Sequence, residues 1–165
     1  MRIKRWMRHL LLPHWLAARN FPKRSLDAIE AAVGVGERDN RAEIRFVIEG
    51  ALPPSDLWHG ITPRERAIEV FSQLRVWDTE LNTGVLVYVQ LADRAVEIVA
   101  DRGINARVAP GAWEAICGAM ETAYRAGRFE QGSVEGVRAI ATLLGQHFPH
   151  APVNPNELPN RPVIL

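Results

Sequence analysis

One short apolar segment constrains the fold of this chain more than any other feature. Residues 84–90 read Gly-Val-Leu-Val-Tyr-Val-Gln, so apolar and β-branched side chains occupy both faces of a strand. A strand without a polar face lies in the middle of a sheet that is covered on both sides. A turn at residues 92–93 then leads into a second strand at 95–100. The resulting hairpin is predicted to place Gly84 opposite Asp101.

The elements around this hairpin predict a layered domain. Alternating residues indicate a strand over 43–49 with one face partly in water. Thr62 and Glu65 form a capping box around Pro63, which begins a helix. Two further helices are indicated by the apolar positions Trp113, Ile116, Cys117, Met120 and Tyr124, and Val134, Val137, Ile140, Ala141, Leu144 and Phe148. The predicted fold class is α/β: a three-layer α/β/α single domain with a small mixed sheet, a βαβ unit plus a β-hairpin, covered by helices on both faces.

Capping residues predict where several helices begin and end. Ser25 is predicted to cap the first helix of the domain, and Gly34-Val35-Gly36 to end it. Ser133 is predicted to cap the last helix, and residues 50–60 are predicted to be a loop. Gly34-Val35-Gly36 lacks a third glycine and a preceding strand, so no nucleotide cofactor is predicted.

Three segments are predicted along the chain: a basic amphipathic segment (1–24), the α/β domain (25–148) and an extended, proline-rich tail (149–165). Every charged residue before Asp27 is Lys or Arg. On a helix, Ile3, Trp6, Met7, Leu10 and Leu11 share one side. Either this apolar side packs on the domain, or the helix docks on an anionic membrane surface or a partner. The candidate docking residues are Arg2, Lys4, Arg5, Trp6 and Arg8.

The composition argues against several classes of function. A net charge of +1 argues against a nucleic-acid binder. The single cysteine, Cys117, excludes an internal disulfide. No apolar run approaches the roughly 18 residues that span a bilayer, and no signal peptide is recognisable. A cytoplasmic protein is expected, either free or peripheral to the inner membrane. The five histidines do not have the spacing of a zinc site; they are His9, His14, His59, His147 and His150.

Oxygen-bearing side chains are predicted to collect at one rim of the sheet. Their spacing suits a hard cation such as Ca²⁺. The EF-hand pattern fails, because Val89 stands where the bidentate glutamate is required. The simpler interpretation is that Asp78 caps a turn and that Asp101 pairs with Arg102 or Arg107. The candidate metal ligands are Asp78, Glu80, Asn82 and Asp101, with Arg102 beside them.

The opposite rim carries a second candidate site, formed by Asp93 and Arg94. Asp93 is expected to stabilise its two-residue turn, because aspartate tolerates the left-handed conformation that such turns require. The first rim is preferred, since it holds more oxygen ligands.

Several segments together resemble a known family. They are Glu43-Ile44-Arg45-Phe46, Arg66-Ala67, 76–80, 82–86, 92–98, 100–104, the helix with Trp113, the turn 129–132 and the tail 156–163. This ensemble resembles the TPM domain family, in a short bacterial branch related to the thylakoid-lumen phosphatase. The resemblance implies a sheet between helix layers, and its members are associated with phosphatase activity, calcium binding and accessory roles near membrane protein complexes. The chain departs from longer members at Asp101-Arg102-Gly103, where they carry a Gly-x-Gly turn, and no signal peptide or membrane anchor like theirs is expected.

Two functions are therefore predicted. The first is a non-enzymatic accessory or interaction module near membrane protein complexes, with or without a bound divalent cation such as calcium. The alternative is a metal-assisted phosphatase acting on phosphomonoesters, in which a cation held by Asp78, Asn82 and Asp101 polarises a phosphoryl oxygen.

Overall fold

A computed structural model of the protein describes residues 2–13, 15–149 and 155–165, and for Arg2 the backbone alone. The side chain of Arg2, and His14 and His150, lie outside the described residues. Within them the chain forms eight helices and four strands. In chain order these are α1 (Arg2–Leu11), α2 (Trp15–Asn20), α3 (Lys23–Asp39), β1 (Glu43–Glu49), α4 (Pro54–His59), α5 (Pro63–Gln73), β2 (Gly84–Gln90), β3 (Ala95–Ala100), α6 (Arg102–Asn105), α7 (Pro110–Arg125), α8 (Phe129–His147) and β4 (Val163–Ile164).

The four strands form one mixed sheet in the order β3-β2-β1-β4. β1 and β2 are parallel, with Glu43 opposite Gly84, and β2 and β3 are antiparallel. The backbone N–H of Asp101 donates to the Gly84 carbonyl at 2.9 Å, which confirms the predicted hairpin register. Every residue of β2 is buried, as the all-apolar strand requires.

Helices cover both faces of this sheet, so the predicted three-layer architecture is confirmed. α3, α7 and α8 pack on the face that carries Ile44, Phe46 and Val87. α5 packs on the other face, against Leu86 and Tyr88. The capping box that begins α5 is present, with the Glu65 amide donating to the Thr62 hydroxyl.

The face of β1 that is predicted to lie partly in water is partly exposed only at Arg45, and the prediction is wrong for the two glutamates. Glu43 is 2% exposed and Glu49 is 4% exposed. Each carboxylate accepts hydrogen bonds in the interior, Glu43 from the Leu158 amide and Glu49 from the Arg66 side chain. Their buried oxygens are therefore met by donors that the alternation pattern does not reveal.

The predicted ends of α3 are also wrong. The helix begins at Lys23, and the Ser25 hydroxyl instead donates to Glu130 of α8 at 2.7 Å. The helix continues through Gly34-Val35-Gly36 to Asp39. A Cβ at Gly36 would lie 2.7 Å from the Ala141 Cβ. The glycine at position 36 therefore allows α3 and α8 to approach closely, and α3 does not end there.

Three local predictions need correction for similar reasons. Ser133 is buried inside α8, where its hydroxyl donates to the Phe129 carbonyl at 2.8 Å, and it does not cap the helix. The predicted loop at 50–60 contains α4. The left-handed residue of the hairpin turn is Arg94, at φ 57°, so Asp93 is free for a tertiary role.

The described end of the predicted tail is part of the sheet. Residues 155–165, here called the strap, cross the outer edge of β1, and Val163 pairs with Val47. Arg45 donates to the carbonyl oxygens of Pro159 and Arg161, and Arg161 is 2.6 Å from Asp27. The strap therefore closes one sheet edge, which the prediction of an extended tail did not include.

Candidate functional site

Helix α1 attaches to the domain through its polar side. The guanidinium of Arg5 lies 2.8 Å from the Asp93 carboxylate and donates to the Ile61 carbonyl at 2.7 Å. His9 is 4% exposed, and its Nδ1 accepts the Leu52 amide N–H at 3.0 Å. Its Nε2 lies 3.2 Å from Asp93 Oδ1. The two side chains stand one helical turn apart, so a single carboxylate anchors both.

Hydrogen bonds in this anchor determine the tautomer of neutral His9 and the charge of Asp93. Because Nδ1 of His9 accepts a backbone N–H, a neutral His9 carries its proton on Nε2, which faces Asp93. Burial opposes ionisation of Asp93, but the hydrogen bonds from Arg5 and the nearby His9 ring outweigh it and lower the pKa of this carboxyl. Asp93 is thus a charged anchor at neutral pH.

The apolar side of α1 consequently faces solvent. Ile3 is 76% exposed and Leu11 is 71% exposed, and Met7 and Leu10 are more than half exposed. The interpretation in which this side packs on the domain is wrong. The physical reason is that Arg5 and His9 find buried partners that the apolar side chains lack. We call Ile3, Met7, Leu10 and Leu11 the α1 face.

Aromatic and basic side chains border the α1 face. Trp58 of α4 is 78% exposed, and Trp6 meets it edge to face with ring centroids 6.4 Å apart. Trp15 is also exposed, with the Arg19 guanidinium 5.1 Å from its ring centroid. Lys4 and Arg8 are exposed on α1 itself. Apolar side chains ringed by Trp, Lys and Arg are typical of an interfacial helix.

A second polar cluster is buried at the same end of the sheet. Arg66 donates to Glu49 through Nη2 at 2.9 Å and through Nε at 3.0 Å, and the Tyr88 hydroxyl donates to the same carboxylate. Burial, together with the Glu49 charge, raises the pKa of Tyr88 well above its ordinary value. Tyr88 therefore stays a donor, and the cluster is satisfied internally. It explains why charge is tolerated under this rim and offers no open group for catalysis.

At the opposite rim the structure brings Asn82 and Asp101 together around Arg102. Arg102 donates to the Asn82 side-chain oxygen at 3.2 and 3.3 Å. Asp101 caps α6, with Oδ1 accepting the Arg102 amide at 2.7 Å. Its Oδ2 is buried and has no hydrogen-bond partner among the described residues. The two predicted ligands are neighbours, but the side-chain oxygen of Asn82 already accepts hydrogen bonds from the Arg102 guanidinium.

The other two predicted ligands point elsewhere. Asp78 is 3.3 Å from Arg75 and largely exposed. Glu80 is exposed, and its backbone N–H donates to Glu157 of the strap at 2.8 Å. Within the described part of the chain, no three His, Cys, Asp or Glu side chains come together as a metal site would require. These donors fit a hard cation poorly unless Arg102 moves, so calcium binding stays a prediction.

Sequence reasoning missed the roles of His9, Glu49 and Arg66. The four-residue spacing of Arg5 and His9 could have indicated a shared anchor. Their partner Asp93 lies 88 residues from Arg5 in the chain, and no local pattern specifies that contact. Glu49 and Arg66 likewise belong to different elements, a strand and a helix.

The fold is a small domain in which an open mixed sheet lies between helix layers, with the α1 anchor at one rim and Asp101 at the other. The chain belongs to the TPM domain family, whose profile matches residues 18–143. It is similar to the BA42 protein of the psychrophilic bacterium Bizionia argentinensis, solved by NMR, with 30% identity, a TM-score of 0.76 and coverage of 86% of this chain and 93% of that one.

The N-terminal domain of a protein from P. gingivalis, also solved by NMR, has 16% identity and a TM-score of 0.63, with coverage of 87% of this chain and 95% of that one. At that identity the likeness shows the fold alone. No curated protein matches the chain. In the described part of the chain, no helix combines the length and the apolar run needed to cross a bilayer.

Proposed function

We propose that the protein is a non-enzymatic accessory module that docks through the α1 face on the anionic surface of a membrane, beside a membrane protein complex. The observation that carries this proposal is the orientation of α1. Its polar side is held by Asp93, while four apolar side chains face solvent. The expected location is cytoplasmic, at the periphery of the inner membrane.

The magnitudes support reversible docking. Fully burying a Leu, Ile or Met side chain is worth about 1.5–3 kcal/mol. Each Lys or Arg near an anionic surface adds about 1 kcal/mol. Partial insertion of the α1 face, with Lys4 and Arg8 beside the headgroups, is therefore sufficient for association without a spanning helix. Because α1 is already folded and anchored, little conformational entropy is lost on binding.

Flotation with vesicles rich in phosphatidylserine tests the proposal. The double variant Leu10→Ser, Leu11→Ser removes the C-terminal half of the α1 face. Its matched control is Val35→Ser, Ile68→Ser, since these side chains are 50% and 48% exposed on other surfaces. We expect the first variant to bind at least tenfold less and the control to bind as the parent does.

Two results would contradict this. One is equal flotation of both variants. The other is a dimer in sedimentation without lipid that the Leu10→Ser, Leu11→Ser change converts to a monomer, because the α1 face would then bind a second copy of the chain.

One observation favours the alternative, a metal-assisted phosphatase acting on phosphomonoesters. The buried Oδ2 of Asp101 has no partner among the described residues, so a cation could approach it. Turnover of p-nitrophenyl phosphate with Ca²⁺, Mg²⁺ or Mn²⁺, lost in Asp101→Asn, would support it. Absence of turnover over that metal panel would remove it.

A further inference from the structure

The free edge of the sheet faces a groove between two helices. β3 is the edge strand opposite β4, with α5 on one side and α7 on the other. The groove has a volume of about 710 Å³, and we call it the β3 groove. Its lining includes Arg64, Glu97, Ile98, Trp113, Cys117 and Glu121.

Side chains form hydrogen bonds with the outward-facing backbone groups of β3. Since Asp101 bonds to Gly84 on the inner side, residues 96, 98 and 100 direct their backbone groups away from β2. The Val96 amide donates to Glu121 at 3.1 Å, and the Ile98 carbonyl accepts from Arg64. These are the groups that a further strand would pair with. The Ala100 carbonyl accepts from Asn105 Nδ2 at 2.7 Å, so the available pairing groups are those of Val96 and Ile98. Arg64 and Glu121 are partly exposed, at 51% and 26%, so they can move aside.

The groove is acidic. Three carboxylates, Glu97, Glu114 and Glu121, line it. Arg64 lies 3.6 Å from Glu97, and Arg125 lies 3.1 Å from Glu121, so two guanidinium groups face three carboxylates. Burial raises the pKa of Glu97, and the neighbouring charge of Glu121 adds to the effect. An added cation would therefore be stabilised between these glutamates.

An unsatisfied donor and an open helix face complete the groove. Trp113 is 8% exposed, and its indole Nε1 has no hydrogen-bond acceptor among the described residues. Gly118 also lines the groove, and a Cβ built there meets no atom within 4 Å. An acceptor such as a peptide carbonyl would satisfy the indole N–H, and the missing side chain leaves room for a main chain.

We propose that the β3 groove binds an extended peptide segment carrying Lys or Arg, which adds as a strand beside β3. Its backbone would replace Glu121 at the Val96 amide and Arg64 at the Ile98 carbonyl. Its basic side chains would pair with Glu97 on the α5 side of the added strand or with Glu121 on the α7 side, according to the face on which they lie. Strand addition to an exposed edge is a recurrent mode of peptide recognition, in which main-chain bonds give affinity and alternate side chains give specificity. This surface is separate from the α1 face.

The test uses the full chain and a synthetic eight-residue peptide in which valine alternates with lysine. Amide NMR without lipid should show saturable shifts at Val96 and Ile98 and at the Trp113 indole. A peptide with proline at the two central valines should bind at least tenfold more weakly, since it cannot pair along the strand. Equal binding of the two peptides would overturn strand addition.

Two helix variants provide the matched control on the protein. Gly118→Leu fills the groove, whereas Gly111→Leu lies in the same helix outside it, and a Cβ has open space at both positions. We expect Gly118→Leu to weaken binding at least tenfold and Gly111→Leu to leave it unchanged. The double variant Glu97→Gln, Glu121→Gln should weaken it similarly. No saturable binding, or equal binding to the two glycine variants, would overturn the proposal and would leave the membrane proposal untouched.

Discussion

The two ends of the chain attach to the domain in opposite ways. α1 turns its polar side inward, toward Asp93, and its apolar side outward. The strap turns Leu158 into the core and pairs Val163 with β1. The strap completes the sheet and buries Leu158, so it serves the fold, although Ile164 and Leu165 at its end are 42% and 47% exposed. Helix α1 is anchored yet leaves apolar side chains in solvent, which is typical of a surface that binds a partner or a membrane.

The carboxylates beneath the two ends differ in the same way. Burial raises the pKa of Glu37 to about 8, with the nearby Glu43 charge adding to the effect, and the Asn160 side chain of the strap bonds to Glu37. The pKa of Asp93 under α1 is lowered instead. The strap therefore lies over Glu37 and Glu43, whose pKa values are raised. Helix α1 lies over Asp93, whose pKa is lowered.

The largest expected effect comes from making the same substitution at both ends. Leu158→Ala should lower the free energy of unfolding by about 2–4 kcal/mol, because it leaves a cavity in the second core cluster. Leu11→Ala should change it by less than about 0.5 kcal/mol, since Leu11 is exposed. Urea denaturation measures both. Similar losses for the two variants would contradict the difference in burial between the two ends of the chain.

The next effect, compared over a single pH unit, is the pH dependence of stability beneath the strap. The pKa of Glu37 rises from 4.5 to about 8 on folding, so between these values the unfolded chain releases a proton that the folded protein retains. Stability should therefore fall as pH rises, by up to about 1.4 kcal/mol per pH unit. Glu37→Gln should remove most of this slope between pH 5 and 8. Denaturation series at several pH values would contradict the account if both proteins gave the same slope.

A smaller effect is expected at the α1 anchor. Asp93→Asn should cost about 1–2 kcal/mol at neutral pH, because Arg5 loses a charged partner. The lowered pKa means that the contribution of Asp93 is present above the unfolded value of 3.8 and is lost as pH falls through the folded value. Limited trypsin digestion should cut α1 faster in the variant than in the parent. The same digestion rate in both would show that Asp93 does not hold α1.

The smallest effect concerns Asp101. Asp101→Asn keeps the cap on α6, because asparagine also accepts the amide N–H, and should change stability by less than about 0.5 kcal/mol. Calcium titration followed by amide NMR separates the two rims. Shifts at Asn82 and Asp101 that disappear in the variant would support the predicted cation site. Shifts at Asp93 alone would place the site at the α1 anchor.

Local patterns predicted much of the fold. The bounds of β1, β2 and β3, the hairpin register and the capping box on α5 all follow from residue alternation and capping chemistry, and the structure confirms them. Tertiary partners decided the rest. Gly36 packs against another helix, and Glu43 and Glu49 find buried donors. The orientation of α1 depends on Asp93, which no spacing rule places beside Arg5 and His9.

One measurement tests most directly the claim that α1 docks outward while anchored. Amide NMR of the protein on anionic bicelles doped with a nitroxide lipid reports which residues approach the bilayer. We expect strong broadening at Ile3, Met7, Leu10 and Leu11 and at Trp58, with unchanged signals at Val163 in the strap and unchanged shifts at Leu52 beneath the anchor. Broadening spread evenly over both ends, or none at the α1 face, would contradict it.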